Sequence, residues 1–172
     1  MPQVTLRPAT PDDLEFLLEV FIVSHPQYQM LPLPEDQKVA LIRMQHELQS
    51  ADYRSRYPDS THDIIEVDGK PAGRLWVERN EDHINVLDIG LMPWTRDQGI
   101  GSNVIDRVKA EATATGKPIV SVVQRANPGS LRWQLRMGFH VTKENEFHHF
   151  MEWCPSAQAR VAAASDSAGA AL

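Results

Sequence analysis

Seven consecutive residues, Arg96-Asp97-Gln98-Gly99-Ile100-Gly101-Ser102, carry the strongest chemical signal in this 172-residue chain. They stand between an apolar strand pattern and an amphipathic helix pattern. A turn with two glycines in that position lets backbone N–H groups converge on an anion at a helix N-terminus, where the helix dipole adds favourable potential. The chemistry indicated is phosphate binding. Two common cradles do not fit. The dinucleotide fingerprint needs a third glycine where Val104 stands, and the P-loop needs Gly-Lys-Ser/Thr, whereas Gly116-Lys117 is followed by Pro118.

The elements that must position this turn are legible from periodicity. Ile84 to Leu91 is an apolar run holding Asp88 and Gly90, stopped by Met92-Pro93. After the turn, Ile100, Val104, Ile105, Val108 and Ala112 recur at helical spacing up to Gly116, and the β-rich run Ile119 to Val123 follows. Upstream, Val4 and Leu6 mark a short strand. Thr10-Pro11-Asp12-Asp13 opens a helix whose buried stripe is expected at Leu14, Leu17, Leu18, Phe21 and Ile22. A second amphipathic helix is predicted from Glu35 through Tyr53, with Val39, Ile42, Met44 and Leu48 inward. Ile64, Ile65 and Val67 lead into Asp68-Gly69 and a returning strand from Ala72 to Glu78, a hairpin. Pro128 to Met137 reads as a helix ended by Gly138, and Phe139 to Val141 and Phe147 to Trp153 as the last strands.

In this order the motifs resemble the GCN5-related N-acetyltransferase (GNAT) superfamily. Arg96-x-x-Gly99-x-Gly101 is similar to that family's pyrophosphate-binding signature, and it follows a strand ending in Leu91-Met92-Pro93. Asn127, Ser130, Leu131 and Gly138-Phe139 match a second family pattern, and Leu6-Arg7-Pro8-Ala9-Thr10 looks like the family's first strand and helix start. The resemblance covers roughly residues 3 to 153.

It implies an α/β (mixed α+β) fold with a central, mostly antiparallel sheet, splayed between its fourth and fifth strands, with helices on both faces. Residues 1–154 would form the acetyltransferase domain and 155–172 an Ala/Ser-rich disordered tail. Acetyl-CoA is the implied cosubstrate. Backbone N–H groups of Gln98, Gly99, Ile100, Gly101 and Ser102, with Arg96, would hold the pyrophosphate. Leu91 and Met92 would pair with the pantetheine arm, and Asn127 and Ser130 would contact its far side. The Leu91 N–H is also the expected donor to the thioester oxygen. Asn127 has a compatible structural use as a helix cap before Pro128.

Transfer to an amine needs a neutral nitrogen, yet a lysine-like amine has a pKa of about 10.4, so a base must take a proton. Asp88 is the first candidate: an acid in an apolar strand is costly unless used or paired, and family members often place an acid there. Asn85 and Glu78 are weaker alternatives. The family's tyrosine, which protonates the departing thiolate, is replaced by Gln134, an amide that donates a hydrogen bond but no proton. Water, Tyr53 or Tyr57 would then supply it. Tyr53 and Tyr57, in the interleaved run Tyr53-Arg54-Ser55-Arg56-Tyr57, are also expected in the acceptor pocket.

Composition narrows the partners. The net charge is −6, against a general nucleic-acid binder. Residues 96–136 nevertheless hold seven Lys or Arg against three acids, a basic patch of the size a nucleotide cofactor needs. Cys154 is the only cysteine, so no intramolecular disulfide forms. His148-His149 sit on a strand whose neighbours alternate sides, and His25, His46, His62, His83 and His140 lack ligand spacing, so no metal is expected. No run approaches the roughly 18 apolar residues of a membrane span, and the first twenty residues carry Arg7, Asp12, Asp13, Glu15 and Glu19. The expectation is a cytoplasmic N-acetyltransferase acting on a small-molecule or peptide amine by direct attack in a ternary complex, with a homodimer compatible through the final strands. The alternative is a non-catalytic acyl-CoA binding or regulatory module.

Overall fold

The computed structural model describes residues 1–156; the expected tail at 155–172 lies, from residue 157 on, outside the described residues. Seven strands form one sheet in the order β1-β2-β3-β4-β5-β7-β6, with four helices. Pairing is antiparallel for β1–β2, β2–β3, β5–β7 and β6–β7, and parallel for β4–β5. This is the expected mixed, mostly antiparallel architecture. The described residues divide into two compact units, Met1–Glu78 with Leu87–Gly101, and Arg79–Val86 with Ser102 onward.

In the first unit, β1 (Val4–Pro8) leads to a 3-10 turn at Pro11–Asp13 and then α1 (Leu14–Ser24). The Thr10 N–H donates to Asp13 Oδ2 at 2.8 Å, and Arg7 donates to both carboxylate oxygens of Asp13, so strand, turn and helix start are tied at one residue. That guanidinium holds the Asp13 carboxyl well below the usual carboxylate range. Leu14 is 53% exposed rather than buried, because it stands at the turn-to-helix junction, outside the stripe that Leu17, Leu18, Val20 and Phe21 form.

A short 3-10 turn (Pro26–Tyr28) precedes α2 (Glu35–Arg56). Its inward face is not the expected one. Ile42, His46 and Ser50 are buried at i, i+4, i+8 spacing, while Val39, Met44 and Leu48 face outward, Leu48 at 58% exposure. Two polar residues occupy the buried row, so hydrophobic periodicity alone selects the wrong face. Leu18, Phe21 and Ile42 form the apolar contact beneath the helices, with Ile22 and Tyr28 packed against it.

Strands β2 (Thr61–Val67) and β3 (Lys70–Arg79) are joined by Asp68-Gly69, both at positive φ (51° and 76°), the two-residue turn that a hairpin favours. Strand β4 (Ile84–Leu91) approaches β3 closely: a Cβ on Gly73 would collide with the Gly90 carbonyl oxygen and stand 2.8 Å from Leu91 Cδ2.

Helix α3 (Ile100–Thr115), which belongs to the second unit from Ser102 on, buries Val104, Ile105, Val108 and Ala112. It is followed by β5 (Ile119–Gln124), α4 (Pro128–Arg136), β6 (His140–Glu144) and β7 (His148–Trp153). The β4–β5 register comprises Ile84↔Ile119, Asn85↔Val120 and Val86↔Ser121. Gly116 (φ 70°) and Gly138 (φ 86°) adopt the left-handed conformation just beyond α3 and α4, which only glycine adopts without strain.

Candidate active site

The strand, turn and helix expected around Gly99 are all present. β4 ends at Leu91, a 3-10 turn covers Pro93–Thr95, residues 96–99 form an exposed turn, and α3 begins at Ile100. Met92 is the anchor of this connection. Its N–H donates to the Ala72 carbonyl at 2.8 Å, and its own carbonyl accepts from the Thr95 N–H (3.0 Å) and hydroxyl (2.7 Å). Both backbone groups are therefore engaged within the protein, leaving the side chain for any other contact. Gln98 Nε2 donates to the Trp94 carbonyl at 2.7 Å, closing the turn.

Gly99 stands at φ 71°, with nothing within 4 Å of where a Cβ would lie, and Asp97 stands at φ 59°, a left-handed conformation that Asp tolerates better than most residues. Ile100 is buried, and burial of an Ile side chain is worth about 1.5–3 kcal/mol, enough to pin the first helical residue. The leading amides of α3 have no partners within their own helix and carry the positive end of its dipole. Arg96, Gln98 and Gly99 are exposed and Gly101 and Ser102 half-buried, the accessibility that an anion cradle requires.

Asp88 lies on β4, half-buried, with 19% of its side chain exposed, and forms an ion pair with Arg74 Nη2 from β3. Arg74 is fully buried. The same Nη2 donates to Gln49 Oε1 of α2 at 3.1 Å, and the guanidinium carbon stands 5.8 Å from the centre of the Phe21 ring of α1. Among the described residues Arg74 Nε and Nη1 have no hydrogen-bond partner, and the inner Asp88 oxygen, Oδ2, has none beyond this ion pair.

Two imidazoles share this environment. His46 is buried on α2, 5.3 Å from Phe21, and His62 stacks on Trp76 at 3.9 Å. Burial first, then the charge of Arg74, pushes both down to about 4, so they are neutral near pH 7. The Tyr53 hydroxyl donates to the Leu87 carbonyl of β4 at 3.2 Å, and burial pushes it up to about 12. Tyr57 lies 6.3 Å from the Tyr53 ring. The first unit thus brings Asp88, Tyr53 and Tyr57 together with Arg74, Gln49, His46 and His62. Sequence reasoning missed Arg74 and Gln49 and set the two histidines aside. A charged residue inside the apolar run Ala72–Val77 was the available signal for Arg74.

In the second unit Asn127 caps α4, its Oδ1 accepting from the Ser130 N–H at 3.0 Å. That joins the two residues expected to contact pantetheine. Gln134 is buried, and Ser121 Oγ of β5 donates to its Oε1 at 2.6 Å. Among the described residues no group of three or more His, Cys, Asp or Glu is arranged to hold a metal ion, and no helix is long and apolar enough to cross a membrane.

Comparison with known proteins fits this geometry. Residues 23–139 match the sequence model of the Acetyltransferase (GNAT) family. Among solved structures, the PaiA N-acetyltransferase of Thermoplasma acidophilum in complex with coenzyme A is 20% identical, with a TM-score of 0.68 over 88% of this chain and 99% of that one. An acetyltransferase of Thermus thermophilus is 19% identical, with a TM-score of 0.65 over 88% and 97%. Arabidopsis thaliana Naa50, in complex with the bisubstrate analogue CoA-Ac-MVNAL, is 16% identical, with a TM-score of 0.58 over 87% and 97%. At these identities the likeness establishes the fold. A search of curated proteins finds no match.

Proposed function

The chain belongs to the GNAT acetyltransferase family, and from that premise we propose that it moves the acetyl group of acetyl-CoA to a primary amine by direct attack in a ternary complex. The observation that carries this reading is the connection from Leu91 to Ile100: an exposed turn containing Gly99, held by Met92 and Ile100, opening a sixteen-residue helix with Gly101 in its first turn. The backbone N–H groups of Gln98 to Ser102 and the Arg96 side chain hold the pyrophosphate. Leu91 pairs with pantetheine and polarises the thioester carbonyl, and Asn127 and Ser130 are further pantetheine contacts.

The amine nitrogen attacks the thioester carbon, the carbon–sulfur bond breaks, and the nitrogen gives one proton to Asp88, directly or through water. The thiolate takes a proton from water. Tyr53 is a poor source, because its hydroxyl is committed to Leu87 and its acidity is weakened by burial. With a thiol pKa of about 8.5 the thiolate leaves without a strong acid behind it, which fits an amide at Gln134 whose Oε1 is already used. The acceptor is a small-molecule or peptide amine.

The test is release of CoA thiol from acetyl-CoA against a panel of amines, amino acids and peptides. Turnover with at least one acceptor is expected. Binding of acetyl-CoA with no release for any acceptor supports the acyl-CoA binding module instead, and no binding of CoA by calorimetry overturns both. Gly101→Asp is expected to abolish CoA binding, since a carboxylate would face the pyrophosphate. Asp88→Asn is expected to lower turnover by about 100-fold while leaving CoA binding in place.

A further inference from the structure

We propose that Arg74 is a positioning residue for the transfer reaction, holding Asp88 from beneath so that its outer oxygen faces the incoming amine. The proposal rests on Asp88 being the group that takes the amine proton. Its own support is geometric. The guanidinium is fully buried, and one nitrogen, Nη2, meets both Asp88 of β4 and Gln49 of α2. Phe21 of α1 lies against it. One side chain on β3 thereby links Asp88 to both helices of the first unit.

The arrangement is poorly suited to be a stability device. Buried ion pairs gain little over apolar packing of the same shape, and this one leaves Arg74 Nε and Nη1 without hydrogen-bond partners among the described residues. What it does achieve is orientation. Oδ2 is turned inward against the guanidinium, while the Asp88 side chain keeps part of its surface exposed, so one carboxylate oxygen is spent on Arg74 and the other is left free to accept a proton. The two neutral imidazoles nearby, His46 and His62, bring no competing charge to Asp88, and Tyr53 is bonded to the β4 backbone one residue away at Leu87. Arg74 is therefore the charged group that sets where the carboxylate points.

A double-mutant cycle on turnover tests this, with kcat and KM measured for wild type, Arg74→Lys, Asp88→Asn and the double variant, and with CoA binding followed by calorimetry. Arg74→Lys keeps the charge and loses the planar fork that reaches Asp88 and Gln49 together. The expected result is a fall in kcat of about tenfold for Arg74→Lys with KM for acetyl-CoA and CoA affinity within about twofold of wild type, and no further fall when the change is made on Asp88→Asn. Gln49→Leu removes the second anchor from a half-buried position and carries the same expectation if Arg74→Lys does not fold. An equal fall in kcat on both backgrounds, or no fall on wild type, overturns the proposal. Wild-type turnover that is indifferent to Asp88→Asn removes the base and the positioning role with it, while absence of wild-type turnover with CoA bound overturns the transfer reading itself.

Discussion

Ser121 of β5 and Gln134 of α4 share a buried hydrogen bond, the serine hydroxyl donating to Oε1 at 2.6 Å. Gln134 is thus joined to the sheet. Gln134→Leu should cost about 1–3 kcal/mol, because the Ser121 hydroxyl is left buried without its acceptor. Adding Ser121→Ala should recover part of that loss. Urea unfolding of the two variants checks both statements; a double variant no more stable than the single one would show that the orphaned hydroxyl carries no penalty.

Acid should weaken the first unit through its two buried imidazoles. His46 and His62 are pushed down to about 4 in the folded chain from about 6.5 when unfolded, so between those values the unfolded chain binds more protons. Stability is therefore full above about pH 6.5 and falls as pH drops toward 4, by up to about 3 kcal/mol per imidazole. Unfolding curves at pH 7, 5.5 and 4.5 should show a monotonic loss, and His46→Gln should roughly halve it.

Asp97 combines a left-handed backbone (φ 59°) with a negative charge in the turn proposed to bind pyrophosphate. Asp97→Gly relieves the backbone strain and removes the charge, and Asp97→Asn removes the charge alone. Each should tighten CoA binding by severalfold, with Asp97→Gly also gaining up to about 1 kcal/mol in stability. Calorimetry at two ionic strengths separates the contributions, since only the charge effect shrinks with added salt.

Gly73 has no room to grow. Its added Cβ meets the Gly90 carbonyl oxygen and Leu91, in the strand that carries Asp88, so Gly73→Ala should cost about 1–3 kcal/mol and lower the melting temperature. An unchanged melting temperature would mean that β3 and β4 are not so closely pressed.

Local chemistry made much of this molecule readable before any coordinates. The Asp68-Gly69 hairpin, the stop at Met92-Pro93 and the α3 stripe from Ile100 to Ala112 are where expected, because each is written in short-range sequence. The inner face of α2 was not readable. His46 turns inward beside the charges of Arg74 and Asp88, and those two residues lie on strands distant from it in sequence. The same distance hid Arg74: an ion pair between residues fourteen positions apart on neighbouring strands leaves no periodic trace. In the candidate site, the turn at residues 96–102 was legible from its glycines, whereas the commitment of Gln134 to Ser121 depends on where α4 packs against β5.

One irregularity bears on how the protein survives at high concentration. Among the described residues β6 is an edge strand, and its pairing with β7 shifts register between Val141 and Lys143. Another chain attempting to extend the sheet there would find donors and acceptors out of step, with an exposed lysine in the way. Straightening that irregularity, by deleting Thr142, is expected to make the chain aggregate faster on storage, as light scattering would show.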